Sequence, residues 1–223
     1  IVLCCHSRGG TIVLTSARTE CTAIALIELT MSRRPLVPYH LYAAGIKSLP
    51  MADIRVILRG ADELTGVGGR TLLTKILKGS RAKDVLSRNL DQSPAYGMYR
   101  DLPVDEVHAR IDWTILQRYL RIEYAGQLPV LAYTPAGWEI ERETVVDEIV
   151  QGFDKLLANA SRPYDMLFLK DRNREVIWRV LDKIQASGER KYLPVLEDWG
   201  QVDYRKVRQR ISEVIQDLTP RAA

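Results

Sequence analysis

The stretch that decides the fold runs from Pro103 to Tyr133, PVDEVHARIDWTILQRYLRIEYAGQLPVLAY. Its first half has a helical period and its second half a strand period. At 100° per residue, Val104, Val107, Ile111, Ile115 and Tyr119 share one stripe, which predicts a helix from Pro103 to about Tyr119. Asp101 can cap it, and proline is tolerated in a first turn. Trp113 falls on the opposite side, flanked by Glu106, Arg110 and Gln117. That outward ring has to cover something, either another part of this chain or DNA or a partner. Beyond the helix, Leu120, Ile122 and Tyr124 alternate with Tyr119, Arg121 and Glu123. Ala125-Gly126-Gln127 then turns the chain, and LPVLAY returns as a second strand. Pro129 confines that return strand to an edge.

Upstream, Ile54, Ile57, Leu58 and Ala61 predict a helix over about Pro50 to Leu64, broken by Gly66, Gly68 and Gly69. A second helix runs from Arg70 to Lys78, with Leu72, Leu73, Ile76 and Leu77 inward and Gly79 as its stop. Ser80 can then cap a short helix through Leu86. Helix, helix, helix and a two-stranded ribbon is the order of a winged helix-turn-helix. Downstream, Trp138, Ile149, Phe153, Leu156 and Leu157 predict a long exit helix, and ANASRPYD reads as a linker. Three further helices follow, over Arg172–Ile184, around Tyr192–Trp199, and over Tyr204–Leu218. The expected architecture is mainly α with a small β-hairpin. A winged-helix domain with leading and exit helices occupies 31–158, and a small helical domain occupies 163–223.

The first 30 residues stand apart. The chain opens on Ile1, has no clear period there, and only at Met31 takes on the look of an ordinary protein start. We read Met31 as the true initiator and 1–30 as a doubtful extension; a signal peptide is the rival, without all of its three regions. Cys4, Cys5 and Cys21 are odd in number and two are adjacent, which is no disulfide framework and fits a reducing cytoplasm. With His6 they lack the spacing that lets paired ligands converge on zinc, so no metal is expected.

At 223 residues and 46% hydrophobic, the chain has enough apolar content for a core, and no apolar run approaches bilayer length. The net charge of +4 is mild, but its distribution is informative. Between Gly66 and Arg100 seven cations face only Asp84 and Asp91, whereas Trp138 to Asp154 is rich in Asp and Glu. Inside the basic segment lies KILKGSRAKDVL, Lys75 to Leu86. Its Gly79-Ser80-Arg81 turn, with Lys83 behind, offers amides, a hydroxyl and cations to an anion.

Two letter patterns imitate a motor. DEVH, Asp105 to His108, spells a DExH box, but it sits in the first turn of an amphipathic helix instead of ending a buried strand. GVGGRT, Gly66 to Thr71, lacks the spacing and the lysine of a phosphate loop. His40 and His108 have no nucleophile or second ligand at useful spacing. No enzyme, cofactor or small-molecule substrate is expected.

GRTLLTKILKGSRAKDVL, LDQSPAYGMYRDL, VDEVHARIDWTILQRYL and LPVLAYTPAG together resemble the RQC domain, the winged helix on the C-terminal side of RecQ-family DNA helicases. With the tail included, the chain is similar to the stand-alone bacterial RQC-minor type, which lacks a helicase. KYLPVLEDWGQVDYRKVRQRI resembles a HEAT-type helical pair. The resemblance implies binding of duplex or branched DNA, with phosphate contacts from Ser80, Arg81 and Lys83. It also implies a role in repair, replication or recombination, in the nucleoid of a bacterial cytoplasm, with helicase or repair proteins as possible partners. Candidate DNA-contacting residues are Arg70, Lys75, Lys78, Ser80, Arg81, Lys83, Arg88, Tyr96, Arg110 and Tyr124. In the helicases the wing often carries a strand-separating aromatic at its tip; here only Tyr124 is available.

The leading expectation is a non-enzymatic DNA-binding protein that grips phosphates and prefers structure over sequence. The alternative is a protein–protein interaction module using Trp113, the acidic exit helix and the C-terminal domain. A sequence-specific regulator ranks lower, because the helix that would enter the groove carries Asp105, Glu106 and Asp112.

Overall fold

The computed structural model describes residues 35–159 and 161–219. The expectations on Met31, Cys4, Cys5, His6 and Cys21 lie outside the described residues. Among those described the fold is mostly helical with one two-stranded antiparallel hairpin. Helix α1 (Met51–Ala61) leads into a 3-10 turn. Then come α2 (Arg70–Lys78), the short α3 (Lys83–Leu86) and α4 (Val104–Leu116). The hairpin pairs β1 (Leu120–Ala125) with β2 (Leu128–Tyr133). Four helices close the chain, α5 (Pro135–Asn159), α6 (Arg174–Ser187), α7 (Leu193–Val202) and α8 (Arg205–Leu218).

Apolar periodicity becomes packing in two clusters. The first unites Ile57 and Leu58 of α1, Leu73, Ile76 and Leu77 of α2, Val107 and Ile111 of α4, and Leu120 and Leu131 of the hairpin. The second unites Phe153 of α5 with Val180 of α6, Leu196 and Trp199 of α7 and Ile211 of α8. Phe153 and Trp199 meet with ring centroids 5.9 Å apart. Helix α5 serves both, giving Trp138 and Ile140 to the first and Val146, Ile149 and Phe153 to the second.

Helix α4 departs from its sequence reading in four ways. It ends at Leu116, and Arg118 at φ 62° breaks the helical path before Tyr119. Pro103 occupies the cap position without a side-chain bond, so Asp101 does not cap it. Val104, placed in the buried stripe, is 50% exposed. Trp113, placed outside, is only 6% exposed and packs within the first cluster, its ring 6.3 Å from that of Tyr119. The ring is buried because α4 packs against α1, α2 and β1 together, which extends its covered surface beyond one stripe. An aperiodic arm before α1 adds Leu41, Ala43, Ile46 and Leu49 to the same cluster. On α4 the arm's Tyr42 amide donates to Asp112 at 2.8 Å. Asp112 is therefore buried, not part of an exposed acidic face.

The hairpin has the predicted turn, with Leu120 opposite Tyr133 and Tyr124 opposite Pro129. The glycine-rich turn before α2 docks on the outer edge of β2. Gly66 N–H donates to the Leu131 carbonyl and Leu131 N–H to the Gly68 carbonyl, both at 2.8 Å. A short stretch of ribbon edge is thereby covered.

The acidic run of α5 is consumed within the chain. Glu139 and Glu143 pair with Arg179 of α6, and Asp147 pairs with Arg55 of α1 and Lys183 of α6. Arg59 of α1 reaches Glu148 at 3.0 Å and Glu141 at 3.3 Å. Of the three contact surfaces expected of an interaction module, Trp113 and this helix are largely occupied by intramolecular packing and pairing, and the C-terminal domain remains.

Candidate nucleic-acid interface

The turn after α2 is built by two segments that meet. Gly79 adopts φ +70°, and its amide and that of Ser80 bond back to the Ile76 and Lys75 carbonyls, closing α2. From Tyr96 to Tyr99 the chain lies against that end. Gly97 N–H donates to the Ile76 carbonyl at 2.9 Å, and Tyr99 N–H to that of Leu77 at 2.8 Å. A Cβ on Gly79 would come within 3.1 Å of the Gly97 Cα, so both conformation and contact call for glycine there. Tyr96 OH donates to the Ser80 carbonyl at 3.2 Å. Tyr99 OH anchors the other side on Asp53 of α1, where burial first and Asp53 second hold its phenol well above the ordinary range. The Gly-Ser-Arg turn thus stands on a backbone framework.

Ser80 does not cap α3. Ala82 holds that position, and Ser80 Oγ accepts from the Ala82 amide at 3.3 Å. Asp84 also changes the picture. Its carboxylate takes Lys75 Nζ at 2.5 Å, and that hydrogen bond, helped by the amides of Asp84 and Val85, holds it below the usual range. Part of the anion-binding capacity expected of this helix start is therefore filled by the chain's own carboxylate, which leaves the exposed cations to meet an external anion.

The ten predicted residues fall into two groups. Arg70, Lys75, Lys78, Arg110, Tyr96 and Tyr124 have intramolecular partners. Arg70 pairs with Asp112 at 2.5 Å and donates to the His40 carbonyl at 2.9 Å. Lys78 Nζ donates to the carbonyls of Arg100 and Leu102. Arg110 pairs with Asp53 at 2.5 Å and with Glu106 at 2.7 Å. Tyr124 OH donates to the Val37 carbonyl at 3.0 Å, with its ring 6.3 Å from that of Tyr39. The wing aromatic is thus tied to the arm, whose Val37 amide also donates to the Gln127 carbonyl at the turn.

Arg81, Lys83 and Arg88 form the other group. All three side chains are exposed and, among the described residues, have no ion-pair partner; the half-buried Ser80 lies beside them. The sequence reading omitted Arg100 from the site. It too is exposed, and its guanidinium folds over Gly97, the residue that touches Gly79. Its presence in the basic segment was the available signal, but which turn it faced depended on the Gly79–Gly97 contact.

Beside α4 the surface has the opposite character. An open groove of about 1040 Å³ lies between the arm and the first half of α4. Ile46, Leu49 and Pro103 line it with Asp53, Asp105, Glu106 and Asp112. Its two arginines, Arg70 and Arg110, are paired with Asp112, Asp53 and Glu106. Four carboxylates, of which Asp105 is the one unpaired among the described residues, thus stand against two cations. Carboxylates at this position repel phosphates.

Helices α1, α2 and α4 closed by a β-ribbon, with an exposed basic turn between α2 and the short α3, define a winged helix-turn-helix. Residues 51–150 match the family model described as RQC domain, a span from the start of α1 into α5. An RQC domain is a winged helix, and the match points to nucleic-acid binding. No curated protein and no solved structure gives a match.

Proposed function

We propose that this protein binds DNA without catalysing a reaction on it, holding phosphates through the basic turn of an RQC-type winged helix and choosing structure over sequence. The observation that carries the reading is the sorting of cations. Arg81 and Lys83 stand exposed at one framework turn, Arg100 over the Gly97 that touches it and Arg88 exposed past the end of α3. Arg70, Lys75, Lys78 and Arg110, by contrast, are engaged by partners within the chain. Free cations on a rigid backbone contact phosphates and carry no base information. The acidic flank of α4, with Arg110 locked to Asp53, argues against base reading by that helix. The stand-alone RQC-minor type, acting in repair, replication or recombination on the bacterial nucleoid in the cytoplasm, is the setting we favour.

The test is duplex binding by the full chain and by Arg81→Ala/Lys83→Ala across a salt series. Four phosphate contacts give a slope of log K on log[salt] near −4, at about −0.9 per contact. The double variant should lose about 2 from that slope's magnitude and weaken binding to unrelated sequences alike. Unchanged affinity removes the turn from the interface. Single strand, duplex, fork and junction substrates in the same assay rank the structural preference.

A second reading, a module that recruits helicase or repair proteins, has one observation in its favour. The carboxylate-rimmed groove beside α4 suits a cationic segment of a partner. On that reading Glu106→Lys would abolish partner capture after nuclease treatment, and Arg81→Ala/Lys83→Ala would not.

A further inference from the structure

The C-terminal cluster carries a second basic surface that neither the winged helix nor the helical tail's packing accounts for. Its geometry follows from side-chain contacts between α6 and α8. Arg210 of α8 reaches Asp182 and Gln185 of α6, and Gln185 also bonds to Asp217 further along α8. Partners advance together, so α6 and α8 run in the same direction and begin at the same end of the cluster. Lys170, just before α6, places its Nζ 5.3 Å from the centre of the Tyr204 ring, just before α8. The approach to one helix therefore touches the start of the other.

At this end the cations are Lys170, Arg172, Arg174, Arg205, Lys206 and Arg208, none of them in an ion pair among the described residues. Against them stand the exposed Asp165 and Asp171, and Glu175 in the first turn of α6, which is paired with Arg142 and Arg179. Asp203 is buried and spent on the Trp199 indole and the Tyr204 amide. No acidic residue occupies the first turn of α8, the place where a helix favours one. Basic side chains there oppose the helix dipole and repel one another, so the arrangement costs folding stability. Two aromatic rings accompany it. Tyr204 is 52% exposed, and Phe168 is 48% exposed on a 3-10 turn pinned by the buried Met166 and Leu169.

We propose that this surface binds single-stranded nucleic acid, with the cations following the backbone and Tyr204 and Phe168 serving as stacking platforms for bases. Interleaved cations and exposed aromatic rings are how proteins hold unpaired strands without sequence preference. A duplex keeps its bases stacked on one another and has no use for the rings, which separates this surface from the basic turn of the winged helix. The assignment goes beyond the duplex or branched-DNA reading of that turn and stands on different residues.

The experiment is fluorescence anisotropy with a labelled 20-nucleotide oligo-dT and the full chain, across a salt series. Arg205→Ala/Lys206→Ala/Arg208→Ala should reduce the magnitude of the salt slope by about 2, at roughly −0.7 per contact on a single strand. Tyr204→Ala should weaken oligo-dT binding about tenfold, in the range of one lost stacked base, with the slope unchanged. Arg81→Ala/Lys83→Ala reports on the winged helix alone, so that site and this one can fail separately. Oligo-dT affinity and slope unchanged in the triple variant overturn the proposal. So does an unchanged affinity in Tyr204→Ala with poly-glutamate binding as tightly as oligo-dT, which would assign the surface to an acidic protein.

Discussion

Gly137 leaves the Tyr119 carbonyl the space a side chain would take. A Cβ there would lie 1.9 Å from the Tyr119 oxygen, a backbone atom at the junction of α4 and the hairpin. Gly137→Ala should cost about 3 kcal/mol, the upper range for overpacking, in denaturant unfolding. Glu141, on the same helix, makes a prediction about pH. Burial pushes its carboxyl up to about 8; Arg59 opposes this, but its contact with Glu141, at 3.3 Å, is longer than that with Glu148, at 3.0 Å, and Glu141 Oε2 has no partner among the described residues. Between about 4.5, its ordinary value, and 8 the folded chain holds a proton that the unfolded chain has released, so this group's contribution to stability falls as pH rises through that window. Melts at pH 5, 6.5 and 8 should show a steeper decline for the wild type than for Glu141→Gln; equal declines would clear Glu141 of the effect. At this scale the sequence was partly legible. Arg81 and Lys83 were marked by their neighbours Gly79 and Ser80, whereas the burial of Asp112 depended on an arm with no period to announce it.

Elements were legible where apolar spacing was regular and less so at their ends. The cores of α1, α2 and α4 lie on the predicted stripes, but α4 stops at Leu116 because Arg118 turns left-handed, a choice made by the hairpin that follows. Thr134 fixes the next start. Its Oγ accepts from the Gly137 amide at 3.2 Å, its own amide donates to the Tyr119 carbonyl at 3.1 Å, and α5 leaves the hairpin from there. The 25 residues of α5 were visible as a long helix, and Phe153 lies on its buried side. Phe153→Ala should destabilise the chain by about 4 kcal/mol, the cost of removing a fully buried ring. A loss below about 1 kcal/mol in urea unfolding would show that the second cluster does not depend on α5. Trp113 escapes the rule that locates Phe153. A helix packed against α1, α2 and β1 at once has no single stripe.

Across the molecule, charge is arranged in three zones, of which the sequence showed two. The basic segment around Arg81 and the acidic run of α5 were plain, although the latter turned out to be neutralised by Arg55, Arg59, Arg179 and Lys183. The third zone, around Tyr204, depends on the parallel course of α6 and α8 and on Lys170 reaching across, which linear order does not reveal. The RQC match ends at residue 150, part-way along α5 and between Ile149 and Phe153, both of which pack in the second cluster. A recombination breakpoint at that position would hand a new neighbour a helix already committed to this tail. The winged helix and its tail therefore share one helix, and a cut at residue 150 would divide the second cluster, parting Ile149 from Phe153.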